Sequence, residues 1–123
     1  MLRFKNYIAP SAIAGLGVFT DQDIPKDGLI WSFEEGLDRK FTQEQFDNFD
    51  EDVRAYLTIY GFRDALDGYY YLTVDNDRFT NHSENPNTYV AADGRVHASR
   101  DIQKGEEILT SYKDFDSIWE KKF

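Results

Sequence analysis

Cysteine is absent from the 123 residues. That gap excludes disulfides, thiolate–zinc sites and cysteine nucleophiles together. Proline is scarce, and no apolar run approaches the length of a membrane span. The opening residues, Met1-Leu2-Arg3-Phe4-Lys5, lack the apolar stretch of a signal peptide. The expectation is a soluble protein of the cytoplasm or another reducing intracellular compartment, with no membrane contact. Basic charge is also in deficit: 14 Lys and Arg against 23 Asp and Glu leave a formal net charge of −9. Displacing counterions from nucleic acid needs a basic footprint, and none is visible. An acidic surface favours basic partners, or simply maintains solubility. Histidine is limited to His82 and His97. The polar run Asp75-Asn76-Asp77, near His82 and Glu84, lacks the glycine and terminal glutamate of a calcium loop, so it reads as a turn. No metal is expected.

What is present suits one domain over residues 1–123, because 41% hydrophobic and 16% aromatic residues can fill a core. Most apolar residues fall in short runs of β type: residues 2–8, Ile13–Phe19 interrupted by Gly15 and Gly17, Leu29–Phe33, Tyr69–Val74, Thr88–Ala92, Arg95–Ser99 and Glu107–Tyr112. Asp93-Gly94 signals a two-residue hairpin between two of them. The main helical signal covers 41–60. There Thr42 and Gln45 form a capping box, Phe41 and Phe46 have staple spacing, and Phe46, Phe49, Val53, Leu57 and Tyr60 share a face expected to pack on the core, with Tyr60 the candidate exception. Asp50-Glu51-Asp52 can split it into two helices. The segment beginning Asp23-Ile24-Pro25-Lys26 is echoed by Asp101-Ile102-Gln103-Lys104, each a turn introducing a strand. The fold class is therefore mainly β with short helices, not a βαβ fold.

Four stretches carry a family resemblance: Gly15-Leu16-Gly17-Val18-Phe19; the unit around Ile24 and Gly28; Arg78-Phe79-Thr80-Asn81-His82-Ser83-Glu84-Asn85-Pro86-Asn87; and Gly105-Glu106-Glu107-Ile108-Leu109-Thr110-Ser111-Tyr112. In order and rough spacing they resemble the SET-domain protein-lysine methyltransferases, in the form of a small, zinc-free single domain of bacterial or viral type. The glycine pair alone is a weak signal, whereas the Asn-His-Ser-x-x-Pro-Asn string is specific. The resemblance implies a β-clip-like fold of several small sheets with a C-terminal pseudoknot. It also implies that S-adenosylmethionine and a target lysine enter from opposite faces and meet in a narrow channel.

By that resemblance, Tyr112 is the catalytic tyrosine and Tyr60 a second active-site tyrosine. The cofactor would be held by the backbone around Ala14, Gly15, Leu16 and Gly17, and by Tyr60, Arg78, Asn81 and His82. Asn81 offers a carbonyl to the cofactor's ammonium, and His82 presents backbone and ring to adenine. Thr110, Val90 and Tyr112 would line the lysine channel. Thr110 stands where the family often has Tyr or Phe, which leaves room for more than one methyl unless Val90 or Tyr60 constricts the channel instead. Glu84 replaces the family's cysteine, so the zinc cluster that closes the channel in many members is missing. The segment 113–123 is left as a metal-independent lid over a domain core of about 3–112. Its Phe115, Trp119 and Phe123 recur every fourth residue, and Phe115 or Trp119 is expected to cover the adenine.

The chemistry implied is displacement by a neutral amine. Free lysine has a pKa near ~10.4, but a sulfonium charge about 4 Å away repels the ammonium by roughly 4 kcal/mol at an effective dielectric of 20. That lowers the lysine pKa by up to ~3 units, so no strong protein base is required. The expected partner is a protein with a lysine in a basic segment, without nucleic acid; a homodimer is compatible with the sequence. The alternatives are a SET-derived module that binds peptide without methylating it, and a purely structural β domain.

Overall fold

The computed structural model describes residues 1–122 and resolves the β signal into ten short strands. Four small sheets result. The strands β1 (Asn6–Pro10) and β2 (Leu16–Thr20) form an antiparallel pair with Asn6 opposite Thr20 and Pro10 opposite Leu16. A second sheet places β9 (Val96–Ala98) between β3 (Leu29–Trp31) and β8 (Thr88–Val90), all antiparallel. A third places β6 (Tyr70–Leu72) between β4 (Arg39–Phe41) and β5 (Phe62–Arg63). The last is a parallel pair, β7 (Asn81–His82) with β10 (Leu109–Thr110). This is the mainly β architecture with few short helices that the sequence indicated.

The sheets share one apolar cluster: Leu2, Phe4, Val18, Ile24, Ile30, Trp31, Ala98, Ile102 and Ile108, all buried. Each aliphatic side chain fully removed from water contributes roughly 1.5–3 kcal/mol. The two echoed segments meet inside it. Ile24 and Ile102 exchange both backbone hydrogen bonds at 2.8 Å, Asp101 accepts from the Lys26 amide at 2.8 Å, and Asp23 accepts from the Lys104 amide at 2.9 Å. The repeated sequence has become a reciprocal pair of carboxylate-capped turns.

The helical region divides as the acidic run suggested, into α1 (Gln43–Asp47) and α2 (Glu51–Tyr60), and the capping box of Thr42 and Gln45 is present. Its apolar stripe is less buried than expected. Only Leu57 of α2 is buried, while Val53 and Tyr60 are 38% and 41% exposed. Phe41 packs on Phe49 rather than Phe46, because Phe46 stacks on Tyr70 of the third sheet, with centroids 3.9 Å apart. The hairpin at Asp93-Gly94 is longer than two residues: Val90 pairs with Val96, and Ala91 donates to the Arg95 carbonyl. Tyr112 does not end a strand but begins the 3₁₀ turn Tyr112–Asp114. The tail is two 3₁₀ turns, the second at Trp119–Lys122, so no single helix aligns Phe115 with Trp119. Phe123 lies outside the described residues. Between the turns the chain lies antiparallel to the end of β5, where Ala65 donates to the Phe115 carbonyl and Ser117 to the Arg63 carbonyl, both within 2.9 Å.

Candidate active site

Two glycines shape the β1–β2 hairpin for different reasons, Gly15 in its turn and Gly17 within β2. Gly15 has φ +47° and open space where a side chain would be, so the backbone there is bare to a ligand. Gly17 is buried, and a Cβ on it would lie 2.3 Å from a Glu107 carboxylate oxygen. That carboxylate is fixed, since the Ser11 hydroxyl donates to it at 2.8 Å and the Asn81 amide at 3.0 Å. Gly17 therefore makes room for Glu107.

Asn81 is the tie between the turn and β7. Its Nδ2 donates to the Ala14 carbonyl at 3.0 Å, the Leu16 carbonyl at 3.1 Å and Glu107. All three partners are acceptors, so only the NH₂ end of the amide can face them. The amide oxygen is thereby turned the other way. The Ala14 and Leu16 carbonyls each keep a second lone pair beside the bare backbone of Gly15, and such acceptors suit an ammonium. The residues present fit the amino-acid end of S-adenosylmethionine on that ground.

Beside Asn81, His82 accepts the Tyr112 backbone N–H on Nδ1 at 3.0 Å, which leaves the proton on Nε2, 3.3 Å from Glu84. Trp119 stacks on the His82 ring with centroids 5.8 Å apart and planes 24° off parallel. The Tyr112 hydroxyl donates to the Thr80 carbonyl at 2.5 Å. Burial first, then the charges of Asp77 and Asp116, push its phenol up to about 12. It remains a protonated donor at neutral pH.

Tyr112 lines the smaller of two cavities that share several wall residues. The smaller, about 50 Å³, is lined by Tyr60, Arg78, Thr80, Thr110, Tyr112 and Asp77 among others. The larger, about 490 Å³, shares Phe62, Asp77, Thr80, Thr110 and Phe115 with it and continues past Val90 and Ile108. Its apolar wall includes Trp31, Phe33 and Val96, and its outer residues include Asp64, Asp67, Asp93 and Asp114 with Arg3 and Arg95. Burial raises the carboxyl of Asp64, the Leu66 amide opposes this, and the Asp67 charge adds to it.

The residues singled out from sequence thus fall into three groups. Ala14, Gly15, Leu16, Gly17 and Asn81 gather at the turn. Tyr60, Arg78, Thr110 and Tyr112 gather round the small cavity, with Val90 in the larger one. His82 and Trp119 pair beside Tyr112. Phe115 is set apart from that pair, edge-on to Phe62 at 5.0 Å and to Tyr112 at 6.0 Å. Arg78 points away from the turn, to the Tyr56 hydroxyl at 2.8 Å and the Val74 carbonyl. Sequence reading passed over Glu107 as a structural partner, Asp77 as a cavity residue, and Asp116, which is 1% exposed and accepts from the Arg63 and Ile118 amides. Only Glu107 carried a signal, as the second acid of Gly-Glu-Glu.

A family model described as SET domain matches residues 15–113. The chain belongs to the SET domain family. Among solved structures, a candidate histone methyltransferase of Plasmodium falciparum is 28% identical, with a TM-score of 0.60 over 90% of this chain and 95% of that one. Polycomb Repressive Complex 2 of Chaetomium thermophilum, in an autoinhibited conformation bound to S-adenosylmethionine, is 18% identical with a TM-score of 0.66. It shares the fold, and this SET domain spans 96% of its own length but only 16% of that chain.

Where the family often has cysteine, this SET domain has Glu84, and the position still contacts the tail. Lys113 Nζ lies 2.9 Å from Glu84 and sits over the Trp119 ring at 5.3 Å. Hydrogen bonds from Lys113 and then His82 lower the Glu84 carboxyl. Among the described residues no group of three or more His, Asp or Glu side chains is placed to hold a metal. No helix among them is long and apolar enough to cross a membrane.

Proposed function

We propose that this SET domain transfers a methyl group from S-adenosylmethionine to the ε-amine of a lysine in a protein substrate. The observation that carries the proposal is the Tyr112 hydroxyl, held by the carbonyl of Thr80, a residue that lines both cavities. When bound, S-adenosylmethionine supplies a methyl already activated on a sulfonium. The protein's part is alignment. The Ala14 and Leu16 carbonyls, fixed by Asn81, hold the amino-acid end, and the walls formed by Phe62, Val90, Ile108 and Phe115 exclude water from the lysine stem. Tyr112 and the Thr80 carbonyl orient the amine, and such alignment makes the step effectively intramolecular.

Asp64, Asp67, Asp93 and Asp114 about the larger cavity favour a lysine within a basic segment. The experiment is incubation of the full chain with labelled S-adenosylmethionine and matched peptides, one basic and one acidic, each with a single lysine. Mass spectrometry then locates the added methyl. Transfer to lysine is expected, faster on the basic peptide at low salt, with the advantage shrinking as salt screens exposed charges. Absence of transfer to any lysine in peptides or in a cell lysate would sink the proposal. Equal rates on both peptides at low salt would remove only the basic preference.

A further inference from the structure

The larger cavity is roomier than one lysine needs. A lysine side chain is a single unbranched stem ending in an ammonium, whereas about 490 Å³ is enough for a whole small-molecule ligand. One end of the cavity is the wall it shares with the Tyr112 cavity, formed by Phe62, Asp77, Thr80, Thr110 and Phe115. The other end belongs to it alone and is built from Trp31, Phe33 and Tyr71 with Asp64 and Asp67. None of the residues gathered at the Ala14–Gly17 turn lines it, and neither do His82 or Trp119. That end is therefore open to a second side chain of the substrate.

Charge in the cavity is unbalanced. Five aspartates line it against two arginines, and both arginines are engaged. Arg3 donates to the Ser32 hydroxyl at 2.8 Å and lies 3.2 Å from Glu34, while Arg95 lies 3.8 Å from Asp93. Arg63, beside Asp64 in the chain, donates to the Ser117 hydroxyl and is not part of the wall. Asp64 and Asp67 form no ion pair among the described residues. Their donors are neutral: the Leu66 amide at 2.9 Å for Asp64, and the Tyr69 amide at 2.9 Å and the Tyr71 hydroxyl at 2.5 Å for Asp67. Burial raises the Asp64 carboxyl, the Leu66 amide opposes this, and the nearby Asp67 charge adds to the rise.

The aromatic wall carries a second unmet demand. Trp31 is 8% exposed, and its indole N–H has no partner among the described residues. Phe62 stacks on Tyr71 with centroids 5.1 Å apart, and Trp31 and Phe33 meet that pair edge-on. Carboxylates set against aromatic rings suit a cation on an apolar stem. Of the two strongly basic side chains, arginine fits better. Its guanidinium is planar, stacks on rings and presents a fork of donors that can reach two carboxylates at once, whereas an ammonium is a compact, strongly hydrated charge. The indole N–H in turn suits a carbonyl, which the substrate backbone supplies beside that arginine.

We propose that this end of the larger cavity binds an arginine side chain of the substrate, at a fixed number of residues from the lysine delivered to Tyr112. The inference rests on the methyl-transfer reading above and deepens it, from a generally basic segment to one side chain in one pocket. The two cases behave differently. Long-range attraction to an acidic surface follows the total charge of the peptide and is indifferent to where that charge lies. A pocket responds to one position and distinguishes arginine from lysine.

The test uses the full chain and single-lysine peptides in which one arginine is moved along an otherwise neutral sequence. Fluorescence anisotropy measures binding, and kcat/KM with S-adenosylmethionine measures methylation. One position should bind at least ~10-fold more tightly than the others, because only there does the guanidinium make charge-assisted hydrogen bonds. At that position lysine should recover part of the gain, and citrulline, which keeps the shape without the charge, almost none. In Asp64→Asn and Asp67→Asn the affinity ratio of arginine to citrulline peptide should fall toward one. Each asparagine retains an oxygen for the amide that the aspartate holds. Affinity independent of the arginine's position, or lysine equal to arginine at the best position, overturns the proposal, as does an undiminished ratio in both variants. Should the variants not fold, the position scan and the citrulline comparison on the wild type decide. A peptide that binds by this rule and is never methylated defeats the methyltransferase reading and leaves the pocket standing. Methylation of lysine without any positional preference does the reverse.

Discussion

The Tyr112 hydroxyl and the Thr80 carbonyl are joined by a 2.5 Å hydrogen bond across 32 residues of chain. The phenol cannot serve as a base, since burial with Asp77 and Asp116 raises its pKa to about 12. Its chemistry is that of a donor and a fixed dipole. Tyr112→Phe removes the hydroxyl that makes this bond and leaves the ring packed on His82 and Phe115. Turnover should fall at least ~100-fold, about 2.7 kcal/mol of barrier, with affinity for S-adenosylmethionine preserved. Single-turnover kinetics and calorimetry on the same preparation check this. An unchanged rate removes Tyr112 from the mechanism.

The β1–β2 hairpin should be sensitive at Gly17, within β2, in a way it is not at the exposed Gly15. Gly17→Ala drives a methyl into Glu107 and breaks the contacts from Ser11 and Asn81, a disruption worth about 1–3 kcal/mol. Asn81→Ala frees the same turn from β7 and should weaken S-adenosylmethionine binding as well as stability. Thermal melting and calorimetry separate the two effects. If Gly17→Ala melts with the wild type, the packing of Glu107 against Gly17 is not what fixes the turn.

How far the sequence spoke depends on the distance over which each signal acts. The Thr42–Gln45 box is local and appears intact, as does the split at Asp50. The echo of residues 23–30 in 101–108 predicted two similar turns, but nothing local says that Ile24 and Ile102 pair with each other. The strands β4 and β5 escaped because Arg39-Lys40-Phe41 and Phe62-Arg63 are too short for any periodicity. Helical spacing puts Val53 on a core face, although α2 lies at the rim and buries only Leu57. At the site, motif residues were legible because they recur together. Asp77 was not, since its meaning comes from cavities assembled by elements distant in sequence.

The tail is more than a cover. Asp116 is 1% exposed, Phe115 packs on Phe62, and residues 115 and 117 accept and donate backbone hydrogen bonds at the end of β5. Truncation after Lys113 should therefore lower the melting temperature as well as activity. Trp119→Ala is the cleaner probe of a lid, since it removes the ring on His82 and leaves the Phe115–Ser117 pairing in place. It should weaken S-adenosylmethionine binding several-fold while the melting temperature holds, and chelator should leave the intact protein's activity unchanged. Full affinity in Trp119→Ala rules out the lid, and loss of activity on chelation reveals a metal.

Asp77 also makes a prediction that needs no substrate. An aspartate has a pKa near ~3.9 in the unfolded chain, while burial and Asp75 raise it to about 6 in the fold. The folded state thus binds this proton more tightly, and stability falls as pH rises from about 4 through about 6. Asp38 behaves oppositely. Burial alone would raise its pKa, yet its bonds from the Met1 amino group, Glu34 and Val74 lower it, so its contribution is lost only as pH falls below the ordinary carboxylate range. Between pH 4.5 and 7 the Asp77 effect can therefore be read without interference from Asp38. Asp77→Asn keeps an oxygen for the Thr80 and Thr73 hydroxyls and removes the charge. Its melting temperature relative to the wild type should climb across that interval, by an amount on the order of 2 kcal/mol in stability at pH 7. A difference that stays constant from pH 4.5 to 7 shows that Asp77 does not titrate there, whatever its place in the cavity.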